Sequence, residues 1–155
     1  MNTRQLEQLE ALRALREQRA ARQWAAQRAV RATASAAMES ARQALAEHEE
    51  AETEQAEELA ARLSSRLPVS TWQQAHARLA AMAEQGQALL AQYQYTGEHL
   101  RQRQVEEAAL RQAWLGQQRQ LEAGARLLAE RSRAEALIQA QREEDELPRS
   151  LGVQP

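Results

Sequence analysis

Two seven-residue rows run through the first half of the chain. One is Trp24, Arg31, Met38, Leu45, Glu52 and Leu59; three places on come Gln27, Ala34, Ala41, His48, Gln55 and Arg62. Together they make an imperfect heptad seam with a polar middle. Earlier, Leu6, Leu9, Leu12 and Leu15 recur every three residues, a spacing that drifts around a helix instead of holding one line. The first twenty residues are therefore expected to follow another register, frayed or reserved for a partner. Thr3 is the expected cap, without a capping box because Leu6 stands three residues on. In the second half the rows are more regular: Trp72, Leu79, Gly86, Tyr93, Leu100, Glu107, Trp114, Leu121, Leu128, Glu135, with Ala75, Met82, Leu89, Thr96, Arg103, Leu110, Gln117, Gly124, Arg131, Ile138. Heptads sustained over this length predict a left-handed coiled coil. At ~1.5 Å per residue each arm would be roughly 100 Å long.

Between the two halves lies Leu67-Pro68-Val69-Ser70. Proline removes a backbone donor and drives the residue before it out of helical geometry. Ser70 offers an N-cap oxygen, with Gln73 at capping-box spacing. The expected organisation is helix 3–66, turn 67–70 and helix 71–146. A link this short folds the second helix back along the first. The fold class is thus all-α, a long antiparallel two-helix coiled-coil hairpin. Pairing centred on Val69 sets Trp24 beside Trp114, Arg31 beside Glu107, Met38 beside Leu100, Leu45 beside Tyr93 and Leu59 beside Leu79. An offset pairing sets Trp24 near Leu110 and Arg31, unfavourably, opposite Arg103.

Composition agrees with this architecture. The chain has 155 residues, 43% of them apolar, but much of that is alanine; there is no Phe and aromatics make up 3%. Alanine is the best helix former yet buries little area, so strong helix propensity comes with weak cohesion. Scarce Gly and Pro beside abundant Arg, Glu, Gln, Ala and Leu is the composition of a long helix or coiled coil. Gly86, Gly97, Gly116 and Gly124 fall inside the second helix, each costing about 1 kcal/mol against alanine. Gly86 faces Glu52 and His48 and is read as making room for them; bending under load is the alternative.

A net charge of −2 gives no global attraction to nucleic acid or anionic membrane. All 20 basic residues are arginine, which GC-rich coding explains better than recognition of acidic partners. Their distribution is uneven. Arg4 to Arg42 holds eight arginines against four acids, whereas Glu47, Glu49, Glu50, Glu52, Glu54, Glu57 and Glu58 form a block with no arginine until Arg62. The hairpin half carrying the termini is therefore expected to be basic and the half near the turn acidic. Solvated faces account for most such runs. After Glu143-Glu144-Asp145-Glu146, Pro148 and Gly152 end the helix, and 147–155 is expected to be a disordered tail. Arg4, Glu7 and Glu10 interrupt any apolar core of a signal peptide, and no transmembrane span is expected. The expected setting is cytoplasmic.

No constellation for catalysis stands out. With no cysteine there is no disulfide framework, thiolate nucleophile or zinc-thiolate site. His48, His76 and His99 lack metal-ligand spacing, the paired carboxylates lack a pocket, and no Gly-rich phosphate loop occurs. The expectation is a non-enzyme with no cofactor or metal. Trp24, Trp72 and Trp114 belong to the seam, although an Ala-rich seam is too thin to bury their rings wholly. Tyr95, flanked by Gln92 and Gln94, is a candidate exposed contact.

An Arg/Glu/Gln/Ala-rich chain of this size, with a Leu67-Pro68 turn between long helices over about residues 3 to 146, resembles the FliJ/YscO family. These are the central-stalk proteins of flagellar and virulence-associated type III secretion, and the bias here is similar to the virulence-associated branch. The resemblance rests on architecture and composition. It implies a stalk like the γ-subunit of rotary ATPases, peripheral to the inner-membrane secretion machinery, an elongated monomer when isolated. Its terminal end would enter a hexameric secretion ATPase, and it would also meet the cytoplasmic domain of the export gate and, in some members, secretion chaperones. On that basis Arg13, Arg16, Arg19, Arg22, Arg126, Arg131 and Arg133 are the candidate ATPase contacts. Tyr95, Glu50, Glu54 and Glu57 are the candidates for the gate or a chaperone. The rival classes are a self-associating coiled-coil scaffold and an adaptor for disordered partners. Lipid binding ranks last, because no helix face joins large apolar residues to a basic border.

Overall fold

A computed structural model describes residues 2–63 and 65–146 of the protein. Two helices account for nearly all of them: α1, Thr3–Arg62, and α2, Val69–Glu146. They pack against each other antiparallel, and no described residue is in a strand. The chain divides into two compact units. One joins the described residues of Met1–Trp24 and Ala109–Pro155; the other is Ala25–Ala108. The expected tail 147–155 lies outside the described residues.

The connection differs in detail from the expected 67–70. Helix α1 stops at Arg62, four residues short of 66, and α2 starts at Val69, two before 71. Pro68 explains the second shift. Its carbonyl accepts from the amides of both Thr71 (3.0 Å) and Trp72 (3.2 Å), so Pro68 itself occupies the cap position. Ser70 then lies inside the first turn, where it cannot serve as the N-cap. Upstream, both the backbone amide and the hydroxyl of Ser65 donate to the Arg62 carbonyl, closing the end of α1.

The start of α1 also corrects the expectation. Asn2 is the cap: its Oδ1 accepts from the Gln5 amide at 2.8 Å, and the Gln5 side chain accepts from the Asn2 amide at 3.0 Å. This reciprocal pair is a capping box one residue earlier than Thr3. The Thr3 hydroxyl instead donates to Glu135 of α2.

In the terminal unit the seam keeps its phase. Thr3, Leu6, Glu10, Arg13, Glu17 and Ala20 are half-buried, while Leu12 and Leu15 are exposed. The expected change of register, or fraying, over the first twenty residues is therefore overturned. Seven-residue steps back from Trp24 reach Glu17, Glu10 and Thr3, and a helix cannot slip by part of a turn to turn Leu12 and Leu15 inward. Polar pairing offsets the loss. The Trp114 indole N–H donates to Glu17 at 2.7 Å, Glu10 and Arg13 form an ion pair at 2.8 Å, and Thr3 bonds Glu135.

Burial is correspondingly thin. Among the described residues only Ala34, Thr96 and Gly124 are buried. Glycines relieve two crowded places. An added Cβ at Gly86 would lie 3.2 Å from the His48 ring, and one at Gly124 would collide with the Glu10–Arg13 pair. Gly116 differs, since an added Cβ there meets nothing within 4 Å. Gly116→Ala should therefore stabilise the fold by up to ~1 kcal/mol through helix propensity. Gly86→Ala should gain nothing or lose stability, because His48 Nε2–H donates to the Met82 carbonyl at 2.7 Å and holds the ring in place. Urea unfolding midpoints of the two variants test this, and equal gains at both sites would refute it.

Candidate functional site

The residues that pair across the helices fix the register. In the terminal unit the Trp24 and Trp114 rings stack, with centroids 4.9 Å apart and planes 21° from parallel. Such a stack is worth about 0.5–1.5 kcal/mol beyond the area it covers. In the other unit Arg31 pairs with Glu107 at 2.8 Å, and Glu107 is mostly screened from solvent. Both contacts belong to the pairing centred on Val69. The offset alternative, with Arg31 against Arg103, does not form. Arg103 instead bonds Glu106 on its own helix at 2.8 Å, and the same carboxylate accepts from Gln27 at 2.8 Å. The outcome is a hydrogen-bonded polar layer in place of a like-charge clash.

All seven arginines expected to meet an ATPase belong to the terminal unit. They do not act alike. Arg13 is half-buried and tied to Glu10, and Arg131 is paired with Glu135 at 3.2 Å. Arg16, Arg19, Arg22, Arg126 and Arg133 are exposed, and among the described residues no carboxylate stands within ion-pair distance of them. Three-residue steps on a helix of ~100° per residue turn back by about 60° each time. The row Arg13, Arg16, Arg19, Arg22 therefore winds from the seam to the outer face.

The other candidates lie in the unit Ala25–Ala108. Tyr95 is 67% exposed and stacks loosely on His99, with centroids at 6.3 Å. Glu50, Glu54 and Glu57 are exposed on α1, spaced so that they share one face. No contact joins Tyr95 to these glutamates among the described residues, so they do not form one site.

Sequence reading missed the extremity of the turn. Leu63, Ser65, Leu67, Val69 and Trp72 line an apolar cleft there, with Leu63, Val69 and Trp72 each exposed. Arg62, Arg66 and Arg78 stand in the same stretch, and positions 59–83 contain no Asp or Glu. The acidic stretch expected in the half near the turn thus stops short of the turn itself. The acidic block ends at Glu58, which binds Arg62 at 2.9 Å. The acid-free run was the signal that could have found it.

These features define an all-α, two-helix antiparallel hairpin. Among the described residues no cluster of three or more His, Asp or Glu could hold a metal, and no helix is long and apolar enough to cross a membrane. Comparison with protein-family models, with curated proteins and with solved structures found no match to this chain.

One electrostatic consequence is measurable. The Thr3 hydroxyl, and then the Arg131 guanidinium, hold the Glu135 carboxyl below its ordinary value of 4.5. A carboxyl with a depressed folded value stabilises the fold above its unfolded value, and this is lost as pH falls through the folded one. The difference in thermal midpoint between the protein and Glu135→Gln should thus be present at neutral pH, shrink below about pH 4.5 and vanish in stronger acid. A difference that stays constant with pH would contradict this. Because Glu135 is solvent-exposed, the effect should also weaken with salt.

Proposed function

We propose that this protein is a non-enzymatic central stalk of a bacterial type III secretion export apparatus, of FliJ/YscO type. The observation that carries the reading is the form of the seam. Two long helices hold each other through paired polar and aromatic residues while almost nothing is buried, which leaves nearly every outer helix face available to partners. A stalk needs this arrangement, since it must present surface all round inside a surrounding ring. The terminal unit would enter the hexameric secretion ATPase, with Arg16, Arg19, Arg22, Arg126 and Arg133 as the outward cations. Arg13 and Arg131 would act through their internal pairs. Tyr95 and the stripe Glu50, Glu54 and Glu57 would serve separate contacts, with the export-gate cytoplasmic domain and with secretion chaperones. The protein would work in the cytoplasm at the inner membrane.

The test is ATPase stimulation. Reversal of Arg16, Arg19 and Arg22 to Glu should abolish stimulation of the secretion ATPase from the same cells while leaving the far-UV helical signal unchanged. Full stimulation by the reversed protein would refute the assignment. A second reading, a self-associating scaffold, is favoured by the exposed Leu12, Leu15, Leu127, Leu137 and Ile138 of the terminal unit. Sedimentation separates the two: a stalk keeps the monomer mass at all concentrations, and a scaffold gains mass as it is concentrated.

A further inference from the structure

Helix α2 runs on past the point where α1 begins. In the terminal unit Thr3 bonds Glu135, and the pairing that sets Trp24 beside Trp114 places Asn2, the first described residue, opposite Ala136. Helix α2 nevertheless continues to Glu146, so about three of its turns, 137–146, have no described residue of α1 alongside. The seam rows do not stop with α1. Leu121 and Leu128 are half-buried where α1 covers them, whereas Ile138, in the companion row with Gly124 and Arg131, is 49% exposed and its neighbour Leu137 is 67% exposed. The face that packs α2 against a helix elsewhere in this unit is open here. Its charge is one-sided. Positions 137–146 hold Arg142 against Glu143, Glu144, Asp145 and Glu146, and the last turn contains no basic residue. The ion pairs among the described residues involve none of these four acids. A helix C-terminus already carries partial negative charge, so four carboxylates there oppose the helix that bears them.

We propose that 137–146 of α2 is a docking site for an amphipathic helix of a partner protein, which takes up the line of α1 with lysine or arginine in its first turns and leucine-sized residues behind them. Continuity with the seam selects a helix, and the carboxylates select a basic one. Seated antiparallel to α2, as α1 is, the partner brings the partial positive charge of its N-terminus beside the acids. Glu144 and Asp145 follow Leu137 and Ile138 by seven residues and so share their faces. One helix can therefore cover the apolar pair and reach the acids two turns further out. Arg142 lies between them in the row of Glu135, where a single glutamate of the partner would bond it. A second copy of this chain fits less well. Laid along the same open stretch, it sets Ile138 against Glu144 and Leu137 against Asp145. Centred on Ile138 instead, it needs its Asp145 at Arg131, where α1 already covers the seam. An anionic membrane would repel the four carboxylates and gain only two large apolar residues. The site does not rest on the stalk reading, because none of its residues belongs to the seven arginines proposed to meet an ATPase.

The experiment measures fluorescence anisotropy of a labelled synthetic peptide, as long as the open stretch, with lysines in its first two turns and leucines behind them, titrated with the full-length protein. Saturable binding is expected. It should be at least about tenfold tighter than that of a shuffled peptide of the same composition, a factor of ten corresponding to ~1.4 kcal/mol. Ile138→Gln and, separately, the pair Glu144→Lys and Asp145→Lys should weaken it by a similar factor. The pair Glu50→Lys and Glu54→Lys, on the acidic face of the other unit, should leave it unchanged. A peptide with glutamates in place of the lysines should bind the protein carrying Glu144→Lys and Asp145→Lys better than the parent, a gain that misfolding could not produce. The proposal is overturned by no saturable binding, by equal binding of the shuffled peptide, or by the absence of an effect from the substitutions at Ile138, Glu144 and Asp145. Equal loss from the substitutions at Glu50 and Glu54 also overturns it, as does a dimer of the protein alone that Ile138→Gln dissolves. Reversal of Arg16, Arg19 and Arg22 should leave peptide binding intact, so the fate of this site and that of the stalk reading are read separately.

Discussion

Two helices alone can bury only one stripe on each, and whatever falls in that stripe must be accommodated there. In a globular domain a polar residue that turns inward can be covered by a third element. Here, among the described residues, the partner is the other helix. The phase of the seam is held by the Trp24–Trp114 stack in one unit and the Arg31–Glu107 pair in the other. Each fixes which residues face inward over the turns around it. This explains why Glu10, Arg13 and Glu17 lie in the seam while Leu12 and Leu15 face solvent. The polar residues are tolerated because each finds a bond, and Gly124 provides the space in which the Glu10–Arg13 pair sits.

Fold class and antiparallel pairing were legible because they depend on long-range periodicity and on one proline. Ten successive positions spaced by seven carry far more information than any single residue. The register stayed open between the centred and the offset pairing, and the Trp24–Trp114 stack and the Arg31–Glu107 pair show the centred one. Local features were less legible. The rule that Ser or Thr caps a helix pointed to Thr3 and Ser70, yet Asn2 and the Pro68 carbonyl do the work. Asn2 was overlooked because Thr3 was the more obvious residue, although Gln5 stands at box spacing from Asn2. The register of the first twenty residues was misread for a related reason. Four leucines at three-residue spacing were read as drifting off the seam, whereas the seam runs on through Leu6, Glu10, Arg13 and Glu17 and could be found only by counting back from Trp24.

The candidate site was legible as a set of residues but not as a set of roles. The seven arginines near the termini were named on the family resemblance, and all fall in one unit. Their division into outward cations and internally paired ones depends on helix phase. Arg13 differs from Arg16 only by three positions, yet one rests over Gly124 beside Glu10 and the other meets solvent. The turn cleft was overlooked because attention to the glutamate block hid the acid-free run that follows it.

The symmetry of the seam has a further consequence for how the chain stays monomeric or does not. Contacts such as Trp24–Trp114 and Arg31–Glu107 lie equally far along the chain from the turn. Two copies that opened at the turn and exchanged helices would re-form every one of them between chains, which is the route to a domain-swapped dimer. The seam therefore selects the register but not the number of chains. That choice falls to the connection between Arg62 and Val69. A short link closed by the Ser65 bonds to the Arg62 carbonyl keeps the two helices at high effective concentration and favours the closed hairpin at ordinary protein concentration. The same few residues that line the cleft thus also decide whether one chain or two completes the seam.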